Sequence, residues 1–246
     1  MIFVCPVFPG ENGALAAFSR LYAFPRNPDS PPSDGFCIMD SGAYGLHQRG
    51  GQMDAAYIRK LANFYHPRVN DSVFAIAPDE FLNPAVSQQR FSSWHKQHSI
   101  PVVPVIQFHR MRHLDLYEIL RQSAFYLKFR EAIPTRQGRP FVCISNPGLW
   151  AQDCSGMGYA VRKMRDQWGD LWLHNLGAGW QPADVRAWQR LGCFDSIDSI
   201  SYYSDAQRNL RWSYMGVSAD LETPWQILAV HNARMAALAA GQAVDR

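Results

Sequence analysis

The sequence predicts an α/β fold of the (β/α)8 type, a TIM barrel in one domain spanning 1–246, and three observations carry the prediction. Short apolar runs recur along the chain, each followed by polar or glycine residues and then by a longer amphipathic stretch. Strand, helix, strand at intervals of about 25–40 residues implies parallel strands with helical crossovers. Eight such units in about 250 residues match the size of a barrel of this type. A doubly wound open sheet uses the same alternation and is the competing topology.

Taken in order, the candidate strands are 2–8, 36–40, 73–77, 102–107, 125–129, 141–145, 171–176 and 197–201. Candidate helices lie between many of them, at 53–64, 85–98, 114–122, 156–168 and 182–191. Pro182 suits a first helical turn, where its missing N–H has no partner to lose. The first connection holds a helical piece near 14–22 and then a Pro/Ser loop. The stretch between Phe129 and Phe141 is too broken by Pro and Gly for an ordinary helix. After the last strand come a polar, Arg-containing loop and a helix over about 223–241.

Composition sets the class. Hydrophobic residues at 47% and charged residues at 18% provide for a sizeable core and argue against wholesale disorder. A formal charge of +3 is compatible with nucleic acid without arguing for it. The five cysteines are scattered, with no CxxC or CxC pair, so a disulfide framework or zinc knuckle is not expected. There is no basic n-region for a signal peptide and no apolar run of membrane-spanning length, which gives a cytoplasmic, membrane-free expectation.

The chemistry-bearing residues gather where the strands end. Asp40-Ser41-Gly42 follows the second candidate strand and Pro78-Asp79-Glu80 the third. Gln107 ends the fourth, Ser145-Asn146-Pro147-Gly148 the sixth and Gly177-Ala178-Gly179 the seventh, while Asp198 interrupts the eighth. In a parallel barrel these ends converge on one face, which is where active sites form. Asn and Gln offer both donor and acceptor to the edge of a planar heterocycle. Aspartates serve as nucleophile and as acid or base when their environments separate their pKa values. Each residue alone also fits a plain reading as helix cap, turn or satisfied polar group. Together they indicate an enzyme acting on a polar ring compound.

These residues also form a series of motifs. Asp40-Ser41-Gly42-Ala43-Tyr44 resembles the Asp-Ser-Gly-Gly-aromatic motif of the tRNA-guanine transglycosylases. Ala77-Pro78-Asp79-Glu80 is similar to their second aspartate motif and Val105-Ile106-Gln107 to their Val-Gln motif. Gly148-Leu149 resembles the site whose backbone meets the base, and His174-Asn175-Leu176-Gly177-Ala178-Gly179 the following strand and Gly-x-Gly turn. Ile197-Asp198-Ser199-Ile200-Ser201-Tyr202 resembles the archaeal-type nucleophile motif. The order matches the family from Asp40 to about Arg211. The resemblance implies a (β/α)8 barrel that exchanges guanine in a nucleic acid for a 7-deazaguanine base such as 7-cyano-7-deazaguanine, with no cofactor. It makes Asp198 the nucleophile and Asp40 the general acid/base. Tyr44 would stack on the base, and Asp79, Gln107, Asn146, Gly148 and Gly177 would bind it.

One departure is informative. Members acting on tRNA carry a zinc subdomain with a Cys-x-Cys-x-x-Cys and a His, and here no cysteine follows Cys193. The pattern resembles the DNA-modifying deazaguanine transglycosylases, the DpdA group of bacteria and their phages, which lack that subdomain. DNA becomes the expected partner, its target guanine flipped out or single-stranded. That implies restriction resistance and evasion of phage defence, in the host cytoplasm if the chain is phage-encoded. Arg208 and Arg211 after the nucleophile and Arg110 after Gln107 are candidate nucleic-acid contacts, or solvated loop residues. The competing functions are a tRNA transglycosylase with a reduced body, a silent nucleic-acid-binding paralogue, and a hydrolase of a glycosidic bond. An unidentified protein partner belongs to the first two.

Overall fold

The computed structural model describes residues 2–6, 18–25, 35–107, 116–145, 154–177, 182–199, 201–214 and 216–243. The chain forms a mixed α/β molecule around one curled sheet. Its strands are β1 (Ile2–Pro6), β2 (Ser19–Ala23), β3 (Cys37–Asp40), β4 (Val73–Ala75), β5 (Val105–Ile106), β7 (Arg139–Ile144), β8 (Trp172–Asn175) and β9 (Ser196–Asp198). They lie in the order β4-β3-β2-β1-β9-β8-β7-β5, and every neighbouring pair is parallel. Beyond the two ends of that path, Ile76 and Val103 make a parallel bridge. Val103 N–H donates to Ala75 O at 2.7 Å, and Ala77 N–H donates to Val103 O at 2.8 Å.

The helices are α1 (Ala43–Gln48), α2 (Ala55–Tyr65), α3 (Pro84–Gln97), α4 (Leu116–Leu127), α5 (Cys154–Trp168), α6 (Pro182–Leu191), α7 (Ser201–Gln207) and α8 (Trp225–Ala239). Local chemistry starts two of them. The Asp54 carboxylate caps α2 by accepting from Tyr57 N–H, and Asn83 caps α3 from Val86 N–H with Pro84 at the first helical position. Short β6 (Thr135–Arg136) turns back antiparallel onto the start of β7, and β10 (Leu210–Trp212) pairs with β11 (Val217–Ala219) as a separate hairpin. No helix among the described residues is long and apolar enough to cross a membrane.

Two expectations are corrected. Residues 19–22, expected within a helix, belong to strand β2, whose Arg20, Leu21 and Tyr22 are all buried. Of the stretch 125–129, expected as a strand, residues 125–127 supply the end of α4 and 128–129 form the turn after it: Ile119, Gln122, Ser123 and Tyr126 are buried at three- and four-residue spacing, the period of a helix face. One apolar run was lost from the sheet and another gained.

Alternation along the strands divides the core. Phe36 and Ile38 share one apolar cluster with Phe74, Ile76, Val103, Val105, Phe141, Cys143 and Trp172, with no helical residue in it. Their neighbours Cys37 and Met39 belong to the larger cluster, packed against the helices. The first cluster therefore fills the concave side of the sheet. Following the same alternation to the C-terminal strand ends, that side changes from apolar to polar: Ile38 gives way to Asp40, Val105 to Gln107, Cys143 to Ser145 and Trp172 to His174.

Candidate active site

Asp40 is the last residue of β3, and the turn after it depends on one glycine. Gly42 has φ of 76°, the left-handed region, and a Cβ there would lie 2.0 Å from the Phe24 carbonyl oxygen. The tight turn lets Gly42 N–H donate to the Asp40 carboxylate at 3.2 Å and brings Ser41 inward. The Tyr57 hydroxyl, on α2, donates to the Ser41 carbonyl at 2.9 Å and fixes the turn from outside.

Ser41 Oγ donates to Asp79 Oδ1 at 2.6 Å, and Gln107 Nε2 donates to Asp79 Oδ2. Gln107 Oε1 accepts from Ser145 Oγ at 2.8 Å and from Leu82 N–H at 3.3 Å. Four chain segments thus join in one buried polar network. Gln107 is itself gripped from behind. Gln122 on α4 accepts from the Gln107 N–H at 2.9 Å and donates to its carbonyl at 2.5 Å. The Arg90 guanidinium on α3 donates to the Asp79 carbonyl at 2.8 Å and pairs with Glu80 at 2.6 Å. Glu80 is therefore a structural partner of Arg90, whereas the Asp79 carboxylate faces the network.

Asp198 ends β9, three strands along the sheet from Asp40. Its Oδ1 accepts from Gly177 N–H at 2.8 Å and lies 3.0 Å from His174 Nε2. The curl of the sheet brings the carboxylates within electrostatic reach. Burial raises Asp40 from 3.8 to about 7, and the negative charges of Asp79 and Asp198 push the same way. Burial also raises Asp79 from 3.8 to about 6, against the Ser41 hydrogen bond that lowers it. Beneath them the Cys143 thiol is buried and held well above its ordinary range, with all three carboxylates adding to the effect. The site can thus hold one carboxyl group protonated near neutrality beside an aspartate anchored by the Gly177 N–H and lying against His174 Nε2. That is an arrangement for acid/base and nucleophilic chemistry.

The other sequence candidates divide. Tyr44, on α1, is 58% exposed and packs edge-on against Phe81 with ring centroids 5.0 Å apart, so a face of its ring is open. Gly177 contributes its N–H to Asp198. Gln107 is fully buried and committed to Asp79, Ser145 and Leu82, so it orients Asp79 and Ser145 in the network. Arg208 is exposed but follows α7, about 10 Å of helix away from the Asp198 end. Arg211 is paired with Asp220 at 2.7 Å, and Trp212 beside it is buried with its indole N–H on Asp205. Asn146, Gly148 and Arg110 lie outside the described residues.

Sequence reasoning did not single out Ser41, Gln122 and Ser196. Ser41 stands in the Asp-Ser-Gly motif without an assigned role, and its place directly after Asp40 at a strand end is the available signal. Gln122 and Ser196 gave none, because only the fold brings them to the site. No protein-family model matches the chain, and no match was found among curated proteins.

Proposed function

We propose that the chain is a DNA-guanine transglycosylase, which replaces guanine in DNA by a 7-deazaguanine base through a covalent aspartyl–deoxyribose intermediate. One observation carries the reading. Three carboxylates from three strand ends meet on one face, with Asp198 anchored through a single oxygen and Asp40 raised to about 7 beside it.

In the first half, an Asp198 oxygen attacks C1′ of a flipped-out deoxyguanosine. The C1′–N9 bond breaks, its electron pair leaves on guanine, and Asp40 gives guanine a proton. The chemistry is that of retaining glycoside hydrolysis, with a carboxylate meeting an oxocarbenium-like centre. In the second half, Asp40 takes the N9 proton of the incoming base. N9 then attacks C1′, and the ester electron pair returns to Asp198. No outside energy source is needed, because the covalent intermediate keeps the glycosidic bond exchangeable.

Asp79 is suited to the N–H edge of the base. Each of its oxygens holds one described donor and retains a lone pair. The open face of Tyr44 supports a stacking role. The choice of DNA over tRNA rests on resemblance to the branch without a zinc lobe. The reading includes a closed (β/α)8 barrel, supported by the Ile76–Val103 bridge between the two end strands of the sheet.

The test is incorporation. The protein is incubated with guanine-containing single- and double-stranded DNA, and separately with tRNA, with and without 7-cyano-7-deazaguanine, and digested nucleosides are identified by mass. The expected result is deazaguanine in DNA alone, lost in Asp198→Ala together with any covalent adduct. Incorporation into tRNA alone would reassign the substrate. Guanine release without incorporation would indicate a hydrolase, and an active Asp198→Ala protein would remove the nucleophile assignment.

A further inference from the structure

Behind Asp198 runs a chain of buried polar groups that the exchange chemistry does not use directly. Trp172 and His174 point to the concave side of β8, and Ser196 and Asp198 to the same side of β9. Trp172 Nε1 donates to Ser196 Oγ at 3.0 Å, Ser196 Oγ lies 2.9 Å from His174 Nδ1, and His174 Nε2 lies 3.0 Å from Asp198 Oδ1. His174 and Ser196 are 0% exposed, so water does not supply missing partners.

The two ends of this chain fix its direction. An indole N–H only donates. Ser196 therefore accepts from Trp172, and its own hydroxyl hydrogen needs an acceptor. Among the described residues the acceptor within reach is His174 Nδ1, which must then carry no proton. A neutral imidazole with bare Nδ1 has its hydrogen on Nε2, and that nitrogen faces the Asp198 carboxylate. The other tautomer would set a nitrogen lone pair against a carboxylate oxygen and leave the Ser196 hydrogen unmatched. An imidazolium would also leave that hydrogen unmatched.

We infer that His174 is a positioning residue for Asp198, a neutral donor whose tautomer is set by Trp172 through Ser196; this rests on the reading of Asp198 as nucleophile. With Gly177 N–H it places two donors on Oδ1. The carboxylate is then held in one rotamer, with Oδ2 as the oxygen presented to C1′. His174 touches neither the sugar nor the base. Its effect is on the chemical step and not on DNA binding.

The experiment has two readouts. The first is independent of activity: nitrogen NMR of the full chain carrying 15N-histidine, with the His174 signals assigned by their loss in His174→Gln. Expected are an unprotonated Nδ1 and a protonated Nε2. A protonated Nδ1, with or without protonated Nε2, overturns the inference. The second compares His174→Gln, whose side-chain NH2 can occupy the Nε2 position, with His174→Leu, which offers no donor. The Leu variant should lose about 10- to 100-fold in kcat, the scale for one hydrogen bond to a charged group, at unchanged KM for DNA. The Gln variant should recover most of that loss. Equal loss in both variants, or a loss confined to KM, overturns the positioning role even if the Leu variant folds poorly. A protein that exchanges no base yet shows bare Nδ1 keeps the hydrogen-bond chain and removes the transglycosylase reading, so the two failures are separable.

Discussion

Asp40 is where environment matters most at the scale of a single residue. An aspartate at the end of a strand is ordinarily ionised at neutral pH. Here burial and two neighbouring carboxylates hold its proton up to about pH 7. If that proton is the one guanine receives, release of guanine should fall as pH rises through about 7. A pH–rate profile of release would show it, and Asp40→Asn should abolish release at every pH. The same shift has a consequence for stability. The folded chain keeps this proton to about pH 7, whereas an unfolded chain gives it up near 3.8. Stability is therefore fullest below the unfolded value, falls as pH rises between the two, and is lowest above 7. Asp79, raised to about 6, adds in the same direction. Calorimetry should give a lower Tm at pH 8 than at pH 5, and Asp40→Asn should narrow the difference without removing it. Asp40, Asp79 and Gln107 were legible in the sequence because each ends or follows an apolar run, and Asp198 because it interrupts one. Gln122 and Ser196 were not, because their roles exist only through contact with residues on other elements, 15 positions from Gln107 and 22 from His174.

Among the elements, the turn between β3 and α1 shows how a short motif is enforced. Gly42 combines positive φ with a carbonyl oxygen placed where a Cβ would stand. Gly42→Ala should cost at least about 2 kcal/mol and displace Ser41 from Asp79, read as a lower denaturation midpoint together with weaker base binding. The strand–helix exchange between β2 and α4 teaches a different lesson. The segment Ser19–Ala23 is short and buried across its centre, so period alone cannot distinguish it from a buried helical turn. The aromatic run at 125–129 reads as a strand in isolation. Its first three residues become helical because Tyr126 extends the buried face that Ile119 and Gln122 set upstream. The eight-strand count survived because the two misreadings offset each other.

Over the whole molecule, the two ends of the concave side do different work. The C-terminal end carries the carboxylates. The opposite end is closed by aromatic rings and arginines: the Arg136 guanidinium sits 3.9 Å from the Phe36 ring centroid and 4.8 Å from that of Trp172, and Arg139 lies 4.7 Å from Trp172. Arg136→Ala should lower Tm by a few degrees, on the order of 1 kcal/mol for a partly desolvated cation–π contact, and leave exchange within about twofold. A matching loss of activity would mean the two ends are coupled. Strand order carries a last consequence, for assembly in time. β1 pairs with β9, and Val4 is the register partner of Asp198 itself. During synthesis the first strand must therefore wait, with one edge unpaired, for almost two hundred further residues. Until the ninth strand arrives there is neither Asp198 nor a neighbour to cover that edge. A chain stopped short of β9 is expected to be both inert and prone to self-association.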